Sequence, residues 1–336
     1  MDRRQFGRAA TMTAFTVSAA GSIGTASADL IKVGQPHITQ IESLTERLWE
    51  HDNRFGGGKI ARYAYQQYRF VRSLLNRGEC GPRTESELMS AAGHLSICAG
   101  WLAYDCNEPA LTRTCYTDAV LLAEANSDSD LRSSAIGALG LIAIDRPTKS
   151  REGVGLTQRA AELSRRVPSP RLNSLRNARE AIAHAAVGDS REFSRGMTCT
   201  WREADRGLDD ADDPNWLLFV TPAELRVHEA KGHMLLGQHS KAADLYRESV
   251  NRPGNLPRDD ASYRTYYAAS LAGLGDTTSA VEAANSALAL LENTVNSPRL
   301  LAELQPVYTA ARHLTSDDAT HFRHRYASLV GRPKRL

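Results

Sequence analysis

Two stretches of this chain are written in the same grammar. Leu236-Gly237-Gln238-His239-Ser240-Lys241-Ala242 returns as Leu274-Gly275-Asp276-Thr277-Thr278-Ser279-Ala280. In each, a helical pattern stops at glycine, turns through polar residues and resumes with an alanine five positions after the glycine. Glycine takes the left-handed torsion that ends a helix, and a short turn then sends the next helix back along the first. A unit of this kind that recurs along a chain predicts stacked helical hairpins, an architecture that typically binds and rarely catalyses.

The rest of the chain fits that prediction. Apolar residues recur at a period near 3.6 from about His37 onward, and the period-two alternation of strands is not sustained anywhere. Helices are expected over 38–52, with Ile41, Leu44, Leu48 and Trp49 on one face, and over 60–75. A capping box, Thr84 with Glu87, predicts the start of a helix over 85–105, which pairs with 109–124 across Asn107-Glu108. Further pairs follow: 130–144 with 153–166, 170–187 with 191–207, 222–236 with 240–250, 261–274 with 278–293, and 298–314 with 316–329. Gly237 and Gly275 set a period of 38, longer than the roughly 34 residues of a tetratricopeptide (TPR) unit. Residues 251–260, with Pro253, Gly254 and Pro257, account for the excess as a loop. Ala242, Ala280 and Ala287 read as small residues at helix crossings. The fold class expected is all-α, a TPR-like helical-hairpin solenoid, or α-α superhelix, over 36–332, with a joint near 207–216.

Charge excludes some partners. With 41 basic residues against 39 acidic ones, the net charge of +2 offers no bulk attraction for nucleic acid or membrane. Direct nucleic-acid binding is not expected. The five cysteines, Cys80, Cys98, Cys106, Cys115 and Cys199, have no two-residue spacing and read as small buried hydrophobes in a reduced compartment. Against a cytoplasmic location stands the N-terminus. Arg3-Arg4-Gln5-Phe6, a weakly apolar run and Ala26-Ser27-Ala28 match a twin-arginine (Tat) export signal cleaved after Ala28. Residues 1–35 are therefore either such a signal or a disordered leader, and no other segment is long and apolar enough to span a membrane.

Chemistry-bearing constellations are weak. His228 and His233 are five apart, not four, so their imidazoles leave the helix about 140° apart and do not make a zinc-protease pair. His321 and His324 lack a third ligand at matching spacing. Gly56-Gly57-Gly58 follows a helix, not a strand, and lacks the Lys-Ser/Thr of a phosphate loop, so the glycines read as a helix end. Asp209, Asp210, Asp212 and Asp213 lack calcium-loop spacing and read as a solvated connection. No catalytic residues, metal or cofactor are nominated. The aromatic residues Trp49, Trp101, Trp201, Trp216, Tyr104, Tyr263, Tyr266 and Tyr267 read mostly as core. In a hairpin array the first helices line the concave face, and Arg226, Tyr263, Arg264 and Tyr267 are the candidate ligand- or partner-binding residues there.

Two motifs carry a family resemblance. Leu48-Trp49-Glu50-His51-Asp52-Asn53-Arg54-Phe55-Gly56-Gly57-Gly58 and Cys98-Ala99-Gly100-Trp101-Leu102-Ala103-Tyr104-Asp105 resemble actinomycete TPR-like regulatory proteins, the C-terminal region of XRE-type helix-turn-helix regulators. The resemblance covers roughly 38–332. It implies an intracellular regulatory role, in transcription, development or secondary metabolism, through recognition of a protein, a peptide or a small molecule. The DNA-binding domain of that family has no counterpart in this sequence, which implies action through a partner.

Overall fold

The computed structural model describes residues 31–165, 169–209, 213, 217–250 and 252–331. The twin-arginine segment, the cleavage position after Ala28, and Asp210, Asp212 and Trp216 lie outside the described residues. Among the described residues the chain is all-α apart from one two-residue parallel bridge, β1 (Ile31–Lys32) with β2 (Gly78–Glu79). Residues assigned to the leader thus enter the fold: β1 is paired and Val33 is buried.

The helices run in order: α1 (Gln35–Phe55), α2 (Ala61–Arg77), α3 (Pro82–Asp105), α4 (Pro109–Ala125), α5 (Ser129–Ile144), α6 (Ser150–Ser164), α7 (Pro170–Ala186) and α8 (Ser190–Ala204). After them come α9 (Pro222–Leu235), α10 (His239–Ser249), α11 (Pro257–Gly273), α12 (Thr277–Asn293), α13 (Pro298–Glu303), α14 (Gln305–Ala310) and α15 (Asp317–Val330). From α3 to α12 each odd-numbered helix packs along the even-numbered one that follows it. Successive odd-numbered helices also touch: α1 on α3, α3 on α5, α5 on α7, α7 on α9, α9 on α11. The series then returns on itself, because α11 reaches α1 and α13 reaches α3.

Composition explains the two roles. In α5, Leu131, Ala135, Ile136, Ala138, Leu139, Ala143 and Ile144 are buried around most of the circumference, as a helix covered on several sides requires. In α8 only Phe193, Met197 and Thr200 are buried, a stripe of one face at helical spacing. Ala242, Ala280 and Ala287 are fully buried at helix contacts, as the repeat register predicts.

Among the described residues one turn recurs five times. Asn107, Ser127, Gly188, Gly237 and Gly275 all have positive φ, between 53° and 81°. The N–H of the next residue bonds five positions back in each case, from Glu108 to Ala103, Asp128 to Ala123, Asp189 to His184, Gln238 to His233 and Asp276 to Leu271. This 6→1 bond satisfies helix carbonyls that would otherwise be orphaned. Three of those next residues, Asp128, Asp189 and Asp276, then cap the following helix by accepting from the backbone N–H three residues on. Each such cap contributes about 1 kcal/mol.

The structure corrects three boundaries. No capping box forms at Thr84: α3 begins at Pro82 behind Gly81, and Glu87 accepts from Arg83 instead. Pro at the first helical position needs no N–H partner, so it starts the helix earlier than the polar pattern predicts. For the same reason α11 starts at Pro257, and the loop expected over 251–260 ends at Leu256. The single helix expected over 298–314 is broken into α13, α14 and a 3-10 turn, with Pro306 just inside the second piece.

Candidate functional site

Where the helix series meets itself, the two sequence motifs of the N-terminal helices come together with the C-terminal ones. Asp105, the last residue of α3, is completely buried. Its Oδ1 accepts from Arg258 Nη2 at 3.2 Å, Arg299 Nη2 at 3.2 Å and Ser297 Oγ at 2.8 Å, and its Oδ2 accepts from the Gly57 N–H at 3.2 Å. Asp52 of α1 accepts from Trp101 Nε1 at 2.8 Å and lies 3.8 Å from Arg258 Nε. The guanidiniums also stack, Arg258 4.8 Å from the Trp101 ring and Arg299 4.9 Å from that of Tyr104.

Backbone completes this clasp. Gly58 N–H donates to the Asn296 carbonyl at 2.9 Å, and Asn296 N–H donates to that of Phe55 at 2.7 Å. Of the three glycines only Gly56 has positive φ, 74°. Gly57 and Gly58 serve close approach: a Cβ on Gly57 would stand 2.8 Å from Leu102 O, and one on Gly58 2.8 Å from Asn296 O. Burial works against the charge of Asp105, but Arg258 and Arg299 outweigh it and hold its carboxyl below the usual range. Asp52 is pushed up to about 6, chiefly by burial and, against the pull of Arg258, by the neighbouring Asp105 charge.

Next to the clasp, the odd-numbered helices carry a second polar group, here called the interior cluster. Tyr104 of α3 donates to Asp145 after α5. Lys231 of α9 lies 3.8 Å from that carboxylate and 5.1 Å from the Tyr266 ring of α11. Tyr266 in turn accepts from Arg299 Nη1 at 2.5 Å, which links cluster and clasp. Tyr263 donates to Glu224 Oε2 at 3.1 Å. His228 Nδ1 lies 2.9 Å from the Glu224 carbonyl. A carbonyl only accepts, so the proton sits on Nδ1 and Nε2 is left as the ring's acceptor. Burial, then the field of Arg179, lowers His228 to about 4, so its ring is neutral. Burial raises Glu224, and raises Asp259 to about 6 with Glu224 as the second cause. Burial opposes the charge of Lys231, but Glu303 and Asp145 outweigh it and hold the ammonium above its usual value.

The four candidate residues from the sequence do not share one surface. Tyr263 is 5% exposed and belongs to the interior cluster through Glu224. Arg264 pairs with Asp260 at 2.8 Å and bonds Ser286 of α12, within its own hairpin. Tyr267 packs against the cores on both sides of α11. Arg226 is half-exposed, 4.0 Å from Glu248 of α10. Arg179, Glu224, His228, Lys231, Arg258 and Arg299 escaped sequence reasoning. They lie on four helices, and the signal that could have found them is charge at the face shared by the first helices of the hairpins.

The remaining motifs resolve simply. His233 stands edge-on to Phe193 with centroids 5.1 Å apart, its Nδ1 2.6 Å from Gln238 Oε1, away from the Glu224 partner of His228. His321 and His324 line a shallow depression with Asp317, Asp318 and Thr320. Cys98 and Cys115 are buried free thiols in the N-terminal core, and Cys106 is buried there with them. In the acidic segment, Asp213 lies 3.5 Å from Arg171 Nε and accepts from Ser169 at 2.5 Å, while Leu208, Leu217 and Val220 pack on Leu172, Leu175 and Leu225. No helix among the described residues is long and apolar enough to cross a membrane. No family model and no curated protein matches this chain.

Proposed function

We propose that the protein is a TPR-like helical-hairpin solenoid that acts as a regulatory binding module, with the interior cluster as its recognition surface. The single observation that carries this reading is the row Tyr104, Arg179, Glu224, His228, Lys231 and Tyr266, contributed by the first helix of each of four hairpins and only half-buried. Hairpin arrays present such a row on their concave side, where charged and aromatic groups give specificity and the ring faces give contact area. The ligand class is a protein or peptide, or a small molecule. Both stretches that resemble the actinomycete regulators meet in the clasp, which supports reading them as one signature. By that resemblance the module serves transcriptional or developmental and secondary-metabolism control through a partner, without contacting DNA.

Affinity capture from native-host extract tests this reading, with wild-type chain and Lys231→Ala as baits of equal helicity. A partner held by the wild type and released by the variant supports it. Equal capture by both overturns the assignment of the surface. The free thiols of Cys80, Cys98, Cys115 and Cys199 support a cytoplasmic location. The twin-arginine start favours a second reading, an exported binding protein, and mass spectrometry of the N-terminus decides: a mature chain starting at Asp29 in the culture fluid would displace the first.

A further inference from the structure

Helix α7 carries two arginines one turn apart, Arg176 and Arg179, on the side that faces the interior cluster and α5. Arg176 is 1% exposed. Its Nε donates to Ser133 Oγ at 3.1 Å and its Nη2 to Ser134 Oγ at 3.0 Å, both neutral hydroxyls of α5, while Nη1 is buried without a partner. Room for it exists because residue 137 is glycine: a Cβ there would stand 2.6 Å from Nη1. Arg179 has a buried Nε without a partner, and its electrostatic neighbours are Tyr116, Glu224 and Tyr104. Neither guanidinium makes an ion pair among the described residues, whereas Arg258 and Arg299 in the clasp both do. Burial and the charge of Arg179 push Arg176 well down from its ordinary value, and burial lowers Arg179 too.

A buried guanidinium without a counter-charge costs several kcal/mol. A folded protein holds Arg176 in this way, with the half-buried Arg179 one turn on, only where something offsets that cost. The nearby carboxylates make no bond to either arginine: Glu224 accepts from Tyr263, and Asp130, one turn before Ser133 and Ser134 on α5, acts on Arg176 only through its field. We infer that the interior cluster binds an oxyanion, a carboxylate or a phosphoryl group, on Arg179, with Arg176 behind it as a second positive charge. The guanidinium fork matches both groups in the bidentate geometry. Tyr104, an electrostatic neighbour of Arg179 that is only half-buried, supplies ring surface for whatever bears the anion. This inference rests on the reading of the interior as the recognition surface and names the chemistry of its ligand.

The test uses the full chain and two probes, inorganic phosphate and succinate, titrated at constant ionic strength and followed by calorimetry and thermal melting. At least one probe should bind saturably and raise the melting temperature, and which one does so separates phosphoryl from carboxylate recognition. Arg179→Gln should weaken that binding at least tenfold, and Arg179→Lys less. In the unmodified wild-type chain, phenylglyoxal labelling of Arg179 should slow several-fold at saturating probe, a readout that needs no variant to fold. Absence of binding by both probes, or equal binding by Arg179→Gln, overturns the inference. If neither probe binds yet Lys231→Ala still releases the captured partner, the anion inference alone fails. If a probe binds Arg179 but capture is unchanged by Lys231→Ala, the recognition-surface reading fails instead.

Discussion

The clasp buries a pair of arginines and helix α7 carries another, Arg176 buried and Arg179 half-buried, and the two regions treat them differently. In the clasp, Arg258 and Arg299 share the carboxylate of Asp105, which also accepts from Ser297 and the Gly57 N–H. On α7, Arg176 has two serine hydroxyls and Arg179 has no bond among the described residues. Buried charge that is matched inside the chain is structural, and it ties together elements that local sequence does not. Buried charge left unmatched is a surface prepared for something else. The contrast also separates the two arginine pairs by what removal of each should do.

The sharpest break comes from Asp105→Ala. It leaves two buried guanidiniums without their carboxylate and should destabilise the chain by about 3–5 kcal/mol, read by urea denaturation. A cost under about 1 kcal/mol would erase the distinction between the regions.

Acid offers the next test, because His228 of the interior cluster and Asp52 of the clasp respond in opposite senses. The folded pKa of His228, about 4, lies below its unfolded 6.5. The unfolded chain therefore binds the extra proton between those values, so this contribution is complete above pH 6.5 and is lost as pH falls to 4. Its full size is on the order of 3 kcal/mol. Asp52 runs the other way, with a folded pKa of about 6 above an unfolded 3.8. Its contribution is present below pH 3.8 and lost as pH rises through 6. His228→Gln should flatten the acid loss of stability, and Asp52→Asn should steepen it; identical profiles for both would show that neither group titrates as described.

Gly58→Ala probes the clasp without touching charge. Its Cβ would meet Asn296 O at 2.8 Å, and overpacking of this kind costs about 1–3 kcal/mol. Arg176→Met then completes the contrast: removal of an unmatched charge should change stability by less than about 1 kcal/mol or raise it. A loss as large as that of Asp105→Ala would place Arg176 among the structural charges. Smallest of all, Arg226→Ala should stay within about 0.5 kcal/mol, since its pairing with Glu248 is long and half-exposed.

The sequence made the two regions unequally legible. The turns at Gly237 and Gly275 could be read because glycine announces a left-handed residue. Asn107 and Ser127 adopt the same torsion without announcing it, so their two turns could not be aligned with those at Gly237 and Gly275. Helix positions followed from apolar period, while starts at Pro82 and Pro257 were missed because polar patterning outweighed the preference of proline for the first turn. The clasp lay outside local reasoning altogether: Asp105 meets Arg258 and Arg299 across 153 and 194 residues. Of the candidate residues only Tyr263 joins the interior cluster, and the arginines of α7 look in sequence like any helix surface.

The bonds between Asp105 and the distant arginines have a consequence for how the chain comes apart and together. An array of repeats with free ends frays from either terminus, hairpin by hairpin, and can nucleate anywhere along its length. Here helices near the two ends hold each other, α1 with α11 and α3 with α13, so loss of α13 uncovers Asp105, and loss of α1 uncovers Arg258. Fraying at one end thus loosens the other, which makes unfolding all-or-none over the tied span. On the ribosome, α3 emerges long before its partners, and Asp105 waits unpaired until more than 150 further residues have followed it. Contacts of such high separation close last and set the slow step of folding.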